Sequence, residues 1–307
     1  MHDRFDIVSF GICAVDFLGL VSHYPDASQK IPMEAFSKQG GGLAGTALAA
    51  AARLGAKAAF IGKLGYDEYS RFLLEDFARN GVDVRQAILE DGAQPPISFI
   101  HVEKSTGERR LARYWREFDL KPEELNRQII QHSRILFLEH HFTAAGIAAA
   151  KLSKASGGMI VVDAERDAAG LEEIFQLADY MIVSQNFAAQ LTSSNDPEES
   201  AEALCLKYGG VVVVTAGEKG AYCSTKRKRL YQPAFSVEVV DTTGAGDVFH
   251  GAFMVGLIEQ WPLQQILEFS AAVAAMKCRG LGGRATIPNR IEAVEFLRER
   301  SKTKFWK

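Results

Sequence analysis

Two carboxylates bracket a run of small residues in the last quarter of the chain, Asp241-Thr242-Thr243-Gly244-Ala245-Gly246-Asp247. The stretch Val248 to Leu257 that follows has the composition of a helix. A glycine-rich turn opening a helix leaves backbone N–H groups unpaired, with the positive end of the helix dipole behind them. Such a place holds anions. Asp247 there is either a cap for the helix or a base held beside a reacting anion. Further candidates lie upstream. Asp16 follows the first apolar run, and its carboxylate can accept hydrogen bonds from two adjacent hydroxyls; a turn aspartate is the alternative. Thr215-Ala216-Gly217-Glu218-Lys219-Gly220 follows the apolar run Val211 to Val214. Glycines after a core strand let a phosphate or a ribose sit against backbone N–H groups.

Gly40-Gly41-Gly42-Leu43-Ala44-Gly45 matches G-x-G-x-x-G, the dinucleotide fingerprint of a nicotinamide oxidoreductase. That reading needs an apolar strand just before the glycines. Phe36-Ser37-Lys38-Gln39 is a poor one, so the run reads instead as a glycine turn before a helix, where a ligand approaches the backbone. His140-His141 have no third ligand at metal spacing and suit a pocket wall. His250, one turn beyond Asp247, suits a packed core position.

The elements that must position these groups are legible in outline. Phe5 to Ile12, Ala58 to Ile61, Ile135 to Leu138, Met159 to Val162, Tyr180 to Val183 and Val211 to Val214 are short apolar runs without polar alternation. They suit strands buried on both faces. Between them, Ala44 to Leu54, Ser70 to Asn80, Pro122 to Gln131, Ala144 to Ala155 and Pro197 to Tyr208 read as helices, and 248–298 reads as mostly helical. Strands alternating with helices give a three-layer α/β unit with a mostly parallel sheet. Residues 1–307 form one such unit. Two segments, about 17–39 and 95–116, break the alternation. The second has a hairpin pattern, Ile97 to Val102 and Arg110 to Trp115 around Thr106-Gly107. Paired with the first, it would form a small β-sheet lid over a site. Apolar lid residues such as Phe17, Leu18 and Trp115 would join two copies into a homodimer.

The chain has 307 residues, 47% hydrophobic, with a formal net charge of -3, so nothing in its charge favours nucleic acid or an anionic membrane. Lys226-Arg227-Lys228-Arg229 reads as an exposed turn. Cys13, Cys205, Cys223 and Cys278 each lie in an apolar stretch without metal spacing and read as buried thiols in a reducing compartment. No signal peptide or membrane-length run is present, so the expectation is a cytoplasmic protein.

Taken in order, Asp16, Gly41-Gly42 before a helix ending Ala52-Arg53-Leu54-Gly55, Ile61-Gly62-Lys63-Leu64-Gly65-Tyr66-Asp67, Gly81-Val82-Asp83, Thr215-x-Gly217-x-x-Gly220 and Asp241 to Asp247 resemble the ribokinase-like (PfkB) sugar kinase family over nearly the whole chain. Within it, Gly40-Gly41-Gly42, Gln232-Pro233-Ala234-Phe235, Asp247 to Ala252 and Gly282-Gly283-Arg284-Ala285-x-Ile287-Pro288 look most like bacterial sulfofructose kinases. The resemblance implies a ribokinase-like fold and ATP-dependent phosphoryl transfer to a sugar hydroxyl. It makes Asp247 the base and the N–H groups of Gly244, Ala245 and Gly246 the anion hole. Asp16, Gly41, Gly42 and Thr46 fall on the sugar side, with Lys30 matching a lysine of the sulfosugar kinases and Arg113 and His141 standing at their other anion-pocket positions as different residue types. Ser184, Thr215, Gly217, Gly220 and Gly282 fall on the ATP side. Asp241 and Thr243 match positions that bind a monovalent cation such as K⁺ in many relatives, and Mg²⁺ would enter with ATP. Two departures bear on substrate and metal. Thr46 stands where many relatives have Asn, and Ser184-Gln185-Asn186-Phe187 replaces Asn-x-x-Glu. A nucleoside or aminosugar kinase, or a non-catalytic binding regulator, are the competing readings.

Overall fold

Val- and Ile-rich runs must be covered on both faces, and the chain does this by placing nine strands between two helical layers. The computed structural model describes residues 4–116 and 118–306. The first half contains β1 (Ile7–Phe10), β2 (Ala14–Val21), β3 (Ala35–Gly41), α1 (Leu43–Arg53), β4 (Ala58–Ile61), β5 (Lys63–Leu64) and α2 (Glu68–Arg79). After these come β6 (Val82–Asp83), β7 (Ile88–Leu89), β8 (Ile97–Glu103), β9 (Arg109–Tyr114), α3 (Arg127–His132), β10 (Ile135–Leu138) and α4 (Thr143–Ala155). The second half contains β11 (Met159–Ala164), α5 (Leu171–Leu177), β12 (Tyr180–Ser184), α6 (Gln185–Thr192), α7 (Pro197–Tyr208), β13 (Val211–Thr215), β14 (Ala221–Thr225) and β15 (Arg229–Gln232). Helices α8 (Ala245–Ile258), α9 (Leu263–Lys277) and α10 (Arg290–Arg300) complete it.

The main sheet runs β15-β14-β13-β12-β11-β10-β1-β4-β6. It is parallel from β13 to β6, and β14 and β15 add an antiparallel edge. Successive residues feed opposite cores. Ile7 and Phe60 pack with Phe77, Phe253 and Phe269 on one face. Val8, Phe10 and Ile61 pack with Ile174 and Phe187 on the other. All four cysteines are buried and unpaired. The basic run 226–229 spans the turn and first residue of β15, as an exposed hairpin connection. Among the described residues no helix is long and apolar enough to cross a membrane.

The small sheet has the order β3-β2-β8-β9, with β2 and β8 parallel. The pleat sends alternate residues to opposite faces. Asp16, Leu18, Ser98, Ile100, Arg109, Leu111 and Arg113 share the inner face by register, and Phe17, Phe36, Phe99 and Tyr114 share the outer one. Leu18 is therefore fully buried. Trp115 lies past the end of β9, half-buried with its ring 5.0 Å from that of His141. Neither presents an outer face. The turn at Gly107 docks on the segment before α8, where the Thr242 hydroxyl donates to the Gly107 carbonyl at 3.4 Å.

Two expectations are corrected. Pro122 to Gln131 is not one helix: Pro122–Glu124 forms a 3-10 turn, Leu125 is extended, and Asn126 starts α3 by accepting from the Ile129 N–H at 3.3 Å. The Asn side chain offers the backbone a new start in place of continuation. The first lid strand begins at Ala14, three residues before the expected segment.

Candidate active site

In a parallel sheet the carboxyl ends of the strands align at one edge, and ligands bind in the crevice outside them. Here that edge carries Gly11 and Ile12 after β1, Glu139 to His141 after β10, Asp163 to Arg166 at the end of β11, Ser184 on β12 and Thr215 on β13. Two helix starts meet the same edge. α1 begins after Gly42 and α8 after Gly244, both with positive φ (84° and 72°). They are brought together because α8 packs against α1. Gly251 permits the approach, since a Cβ there would run into the Ala47 carbonyl.

A cavity of about 250 Å³ lies between this edge and the lid. From the scaffold, Gly42, Thr46, His140, His141, Glu165, Arg166, Thr243, Gly244, Asp247 and Gly283 line it. From the lid come Asp16, Ser98, Ile100, Arg109, Leu111 and Arg113. Sequence reasoning had named Asp16, Gly42, Thr46, Arg113, His141, Thr243, Gly244 and Asp247 among these. It missed Ser98, Arg109, Glu165 and Arg166. The two lid residues carry a legible signal: Arg109, Leu111 and Arg113 alternate with period two, as do Ser98 and Ile100. A second depression, lined by Arg4, His132 and Arg134 among others, lies at the amino ends of β10 and β11, away from these groups.

Gly41 abuts the Asp16 carboxylate, where a Cβ would collide. Asp16 is buried, and burial raises its pKa, opposed by a hydrogen bond from Ser98 and by the charges of Arg284 and Arg109. A poorly solvated carboxylate gains most from new donors. Asp247 faces the cavity in the first turn of α8. Burial pushes its pKa well above the usual carboxylate range, and Asp163 and Glu165 add to the push; His250 and Arg109 oppose it. Glu139 is raised to about 8, first by burial and then by Glu165, although it accepts from the Ile12 N–H. His140 falls to about 3 through burial and the neighbouring His141, Arg166 and Arg113. His250 is buried, with its ring nitrogens 2.7 Å from the Gly246 carbonyl and 3.0 Å from the Ile182 carbonyl, and it ties α8 to β12.

Other sequence candidates sit differently. Lys30 is exposed in the β2–β3 connection and does not line the cavity. The Ala245 N–H donates to the Thr242 carbonyl at 3.2 Å, so the donors left open at this turn are those of Gly244, Gly246 and Asp247. Gly282 has φ 91° and donates its N–H to Asp241 Oδ2 at 2.7 Å; Gly283, not Gly282, reaches the cavity. Ser184 and Thr215 are register partners on adjacent strands, next to the turn of Gly217 and Gly220. Ser184 caps α6 by accepting from the Phe187 N–H at 3.3 Å, and Phe187 is buried in the core. Asp241 accepts from the Thr243 N–H and hydroxyl through Oδ1, at 2.8 and 2.7 Å.

Arg284 joins the parts and was not among the sequence candidates. It is buried, donates to Asp76 Oδ2 at 2.6 Å and to the Gly41 carbonyl at 2.7 Å, and lies over the Phe77 ring. A Cβ at Gly40 or Gly45 would strike its guanidinium. The run 40–45 is thus glycine-rich to admit Arg284 and Asp16, not a dinucleotide.

The chain matches the profile of the pfkB family carbohydrate kinases over residues 4–290. It is 30% identical to a probable fructokinase-5 of Arabidopsis thaliana, over 96% of this chain and 98% of that protein. It is 30% identical to a fructokinase-2 of Solanum lycopersicum, over 95% and 96%. Among solved structures, a putative ribokinase from Agrobacterium tumefaciens superposes with TM-score 0.87 at 24% identity, over 97% of this chain and 98% of that one. A ribokinase from Thermotoga maritima gives 0.81 at 28%, over 96% and 99%.

Removing one partner of a buried ion pair strands the other charge. Arg284→Met should therefore cost about 3–5 kcal/mol in urea unfolding, and adding Asp76→Leu should return part of it. A loss below about 1 kcal/mol would show that the brace contributes no more than a surface pair.

Proposed function

This chain belongs to the pfkB family of carbohydrate kinases, and we propose that it transfers the γ-phosphoryl group of ATP to a hydroxyl of an anionic ketose. The observation that carries the reading is one cavity with a desolvated carboxylate at a helix start, Asp247, and arginines on the facing lid strand, Arg109 and Arg113. The ketose follows the fructokinase names of the relatives. The negative charge follows the arginines, which suit carboxylate, phosphate or sulfonate. The narrower likeness to sulfofructose kinases rests on sequence stretches alone, and Lys30 does not support it.

In this reading Asp16 accepts hydrogen bonds from sugar hydroxyls, with Gly41, Gly42, Thr46 and His141 shaping that end. The sugar hydroxyl oxygen attacks the γ-phosphorus, its proton passes to Asp247, and the P–O bond to ADP breaks with the electron pair leaving on ADP. The open N–H groups of Gly244, Gly246 and Asp247 face the charge that develops on the transferred group. Ser184, Thr215, Gly217 and Gly220 lie along the strand ends beyond Asp163 and would receive the nucleotide. Bound Mg²⁺ would neutralise phosphate charge. Among the described residues no three His, Cys, Asp or Glu side chains are placed to hold a metal. The fit is to an ion carried by ATP, with Glu165 and Asp163 as the nearby carboxylates in place of the absent Glu at 187.

The outer lid face is a self-association surface in this reading. Phe36, Phe99 and Tyr114 are 64%, 57% and 55% exposed, and Phe17 stacks on Phe99 with ring centres 5.3 Å apart. Clustered exposed aromatics of this kind mark an interface.

Asp247→Ala should lower kcat by roughly 10²–10⁴ while ATP binding is kept. The wild-type kcat should fall as pH drops through a pKa above the usual carboxylate range, because protonation of a raised acid removes the base. Near-wild-type turnover would reject the assignment. Arg113→Ala should lower kcat/KM for an anionic ketose by about 10-fold or more and leave a neutral ketose little changed; equal losses would take Arg113 out of recognition. Sedimentation should show a dimer that Phe99→Lys dissociates, and a monomeric wild type would refute the lid contact.

A further inference from the structure

The family resemblance puts Asp241 and Thr243 at monovalent-cation positions, and the groups around them do not fit an ion. Asp241 is completely buried, and its carboxylate accepts three hydrogen bonds, from the Thr243 N–H, the Thr243 hydroxyl and the Gly282 N–H. Its main-chain carbonyl accepts a fourth, from the ammonium of Lys277 at 2.8 Å. Lys277 is itself completely buried at the end of α9. Its own carbonyl accepts from the Thr286 hydroxyl at 2.6 Å. The carboxylate and carbonyl oxygens of Asp241 and the carbonyl of Lys277 are therefore already taken by hydrogen, and the Lys277 amino group already occupies the space between them.

We propose that the Lys277 ammonium is a built-in replacement for the monovalent cation, so that this protein neither binds nor needs K⁺. The chemistry is closely matched. An ammonium group is a compact single positive charge, like K⁺. A buried carboxylate needs a compensating charge nearby, and a tethered one costs no ion capture. The ammonium sits behind the Asp241-Thr242-Thr243 segment and holds the Asp241 carbonyl, while the N–H groups beyond face the cavity. The loop that presents Gly244, Gly246 and Asp247 is thus fixed by a covalently attached cation. Nothing in this depends on the identity of the sugar, so its failure would leave the kinase reading intact.

The test compares the purified protein in KCl and in choline chloride at equal ionic strength. The wild type should show the same Tm in both, within about 1 °C, because a ligand that does not bind the native state cannot stabilise it. Its kinase rate should change by less than about twofold. A saturable, K⁺-specific rise in Tm or rate would overturn the proposal. Lys277→Ser opens the place of the ammonium, and this variant should gain a K⁺-specific rise in Tm absent from the wild type. A folded Lys277→Ser protein with no ion response would overturn Lys277 as the occupant. If that variant does not fold, the wild-type comparison decides alone.

Discussion

A buried guanidinium sets the geometry on which the site depends. Arg284 comes from the loop after α9 and reaches the lid strand through the Gly41 carbonyl, α2 through Asp76, and α1 through Thr46. Three elements from the first quarter of the chain are held to one fork that comes from its far end. Arg suits this because its donors are fixed in a plane and can be satisfied together only when the acceptors are correctly placed. The glycines at 40 and 45 make the space, and Gly41 leaves room for the Asp16 carboxylate beside it.

The cavity that results has two chemically different ends. One is a helix start with open N–H groups and a carboxylate made basic by burial and by like charge. The other is the lid's inner face, where Asp16 and Ser98 lie beside Arg109 and Arg113. Burial strengthens the field of Asp16, while Arg109 and Arg113 are exposed and attract an anion through solvent that salt can screen. The neutral His140 and the protonated tendency of Glu139 spare the site two further charges. Arg109 and Arg113 face Asp247 across the cavity.

The parallel core was legible because its strands are uninterrupted apolar runs: the observed β4 and β10 coincide with Ala58 to Ile61 and Ile135 to Leu138. The lid was legible as a break in alternation with a hairpin turn. The helix at Pro122 failed because Asn126 offers a second cap, a local competition that composition averages away. Site residues with a backbone motif, such as Gly42, Gly244 and Asp247, could be placed from spacing. Arg284, Arg109 and Arg166 could not, since a long side chain reaches its partners only once the fold has brought them near. Lys30 failed for the converse reason: nearness in sequence to Gly40 does not bring an exposed loop into the cavity.

The proposed selection of a negatively charged sugar rests on one cavity that pairs a desolvated carboxylate with a cationic lid strand. The most direct measurement is a coupled ADP-release assay with matched ketoses, one neutral and one bearing a phosphate, sulfonate or carboxylate at its far end, at low and high salt. kcat/KM should be at least about tenfold higher for an anionic member, with the advantage shrinking as salt screens the arginines. A neutral ketose used as well as or better than every anionic one, with no salt dependence, would contradict it.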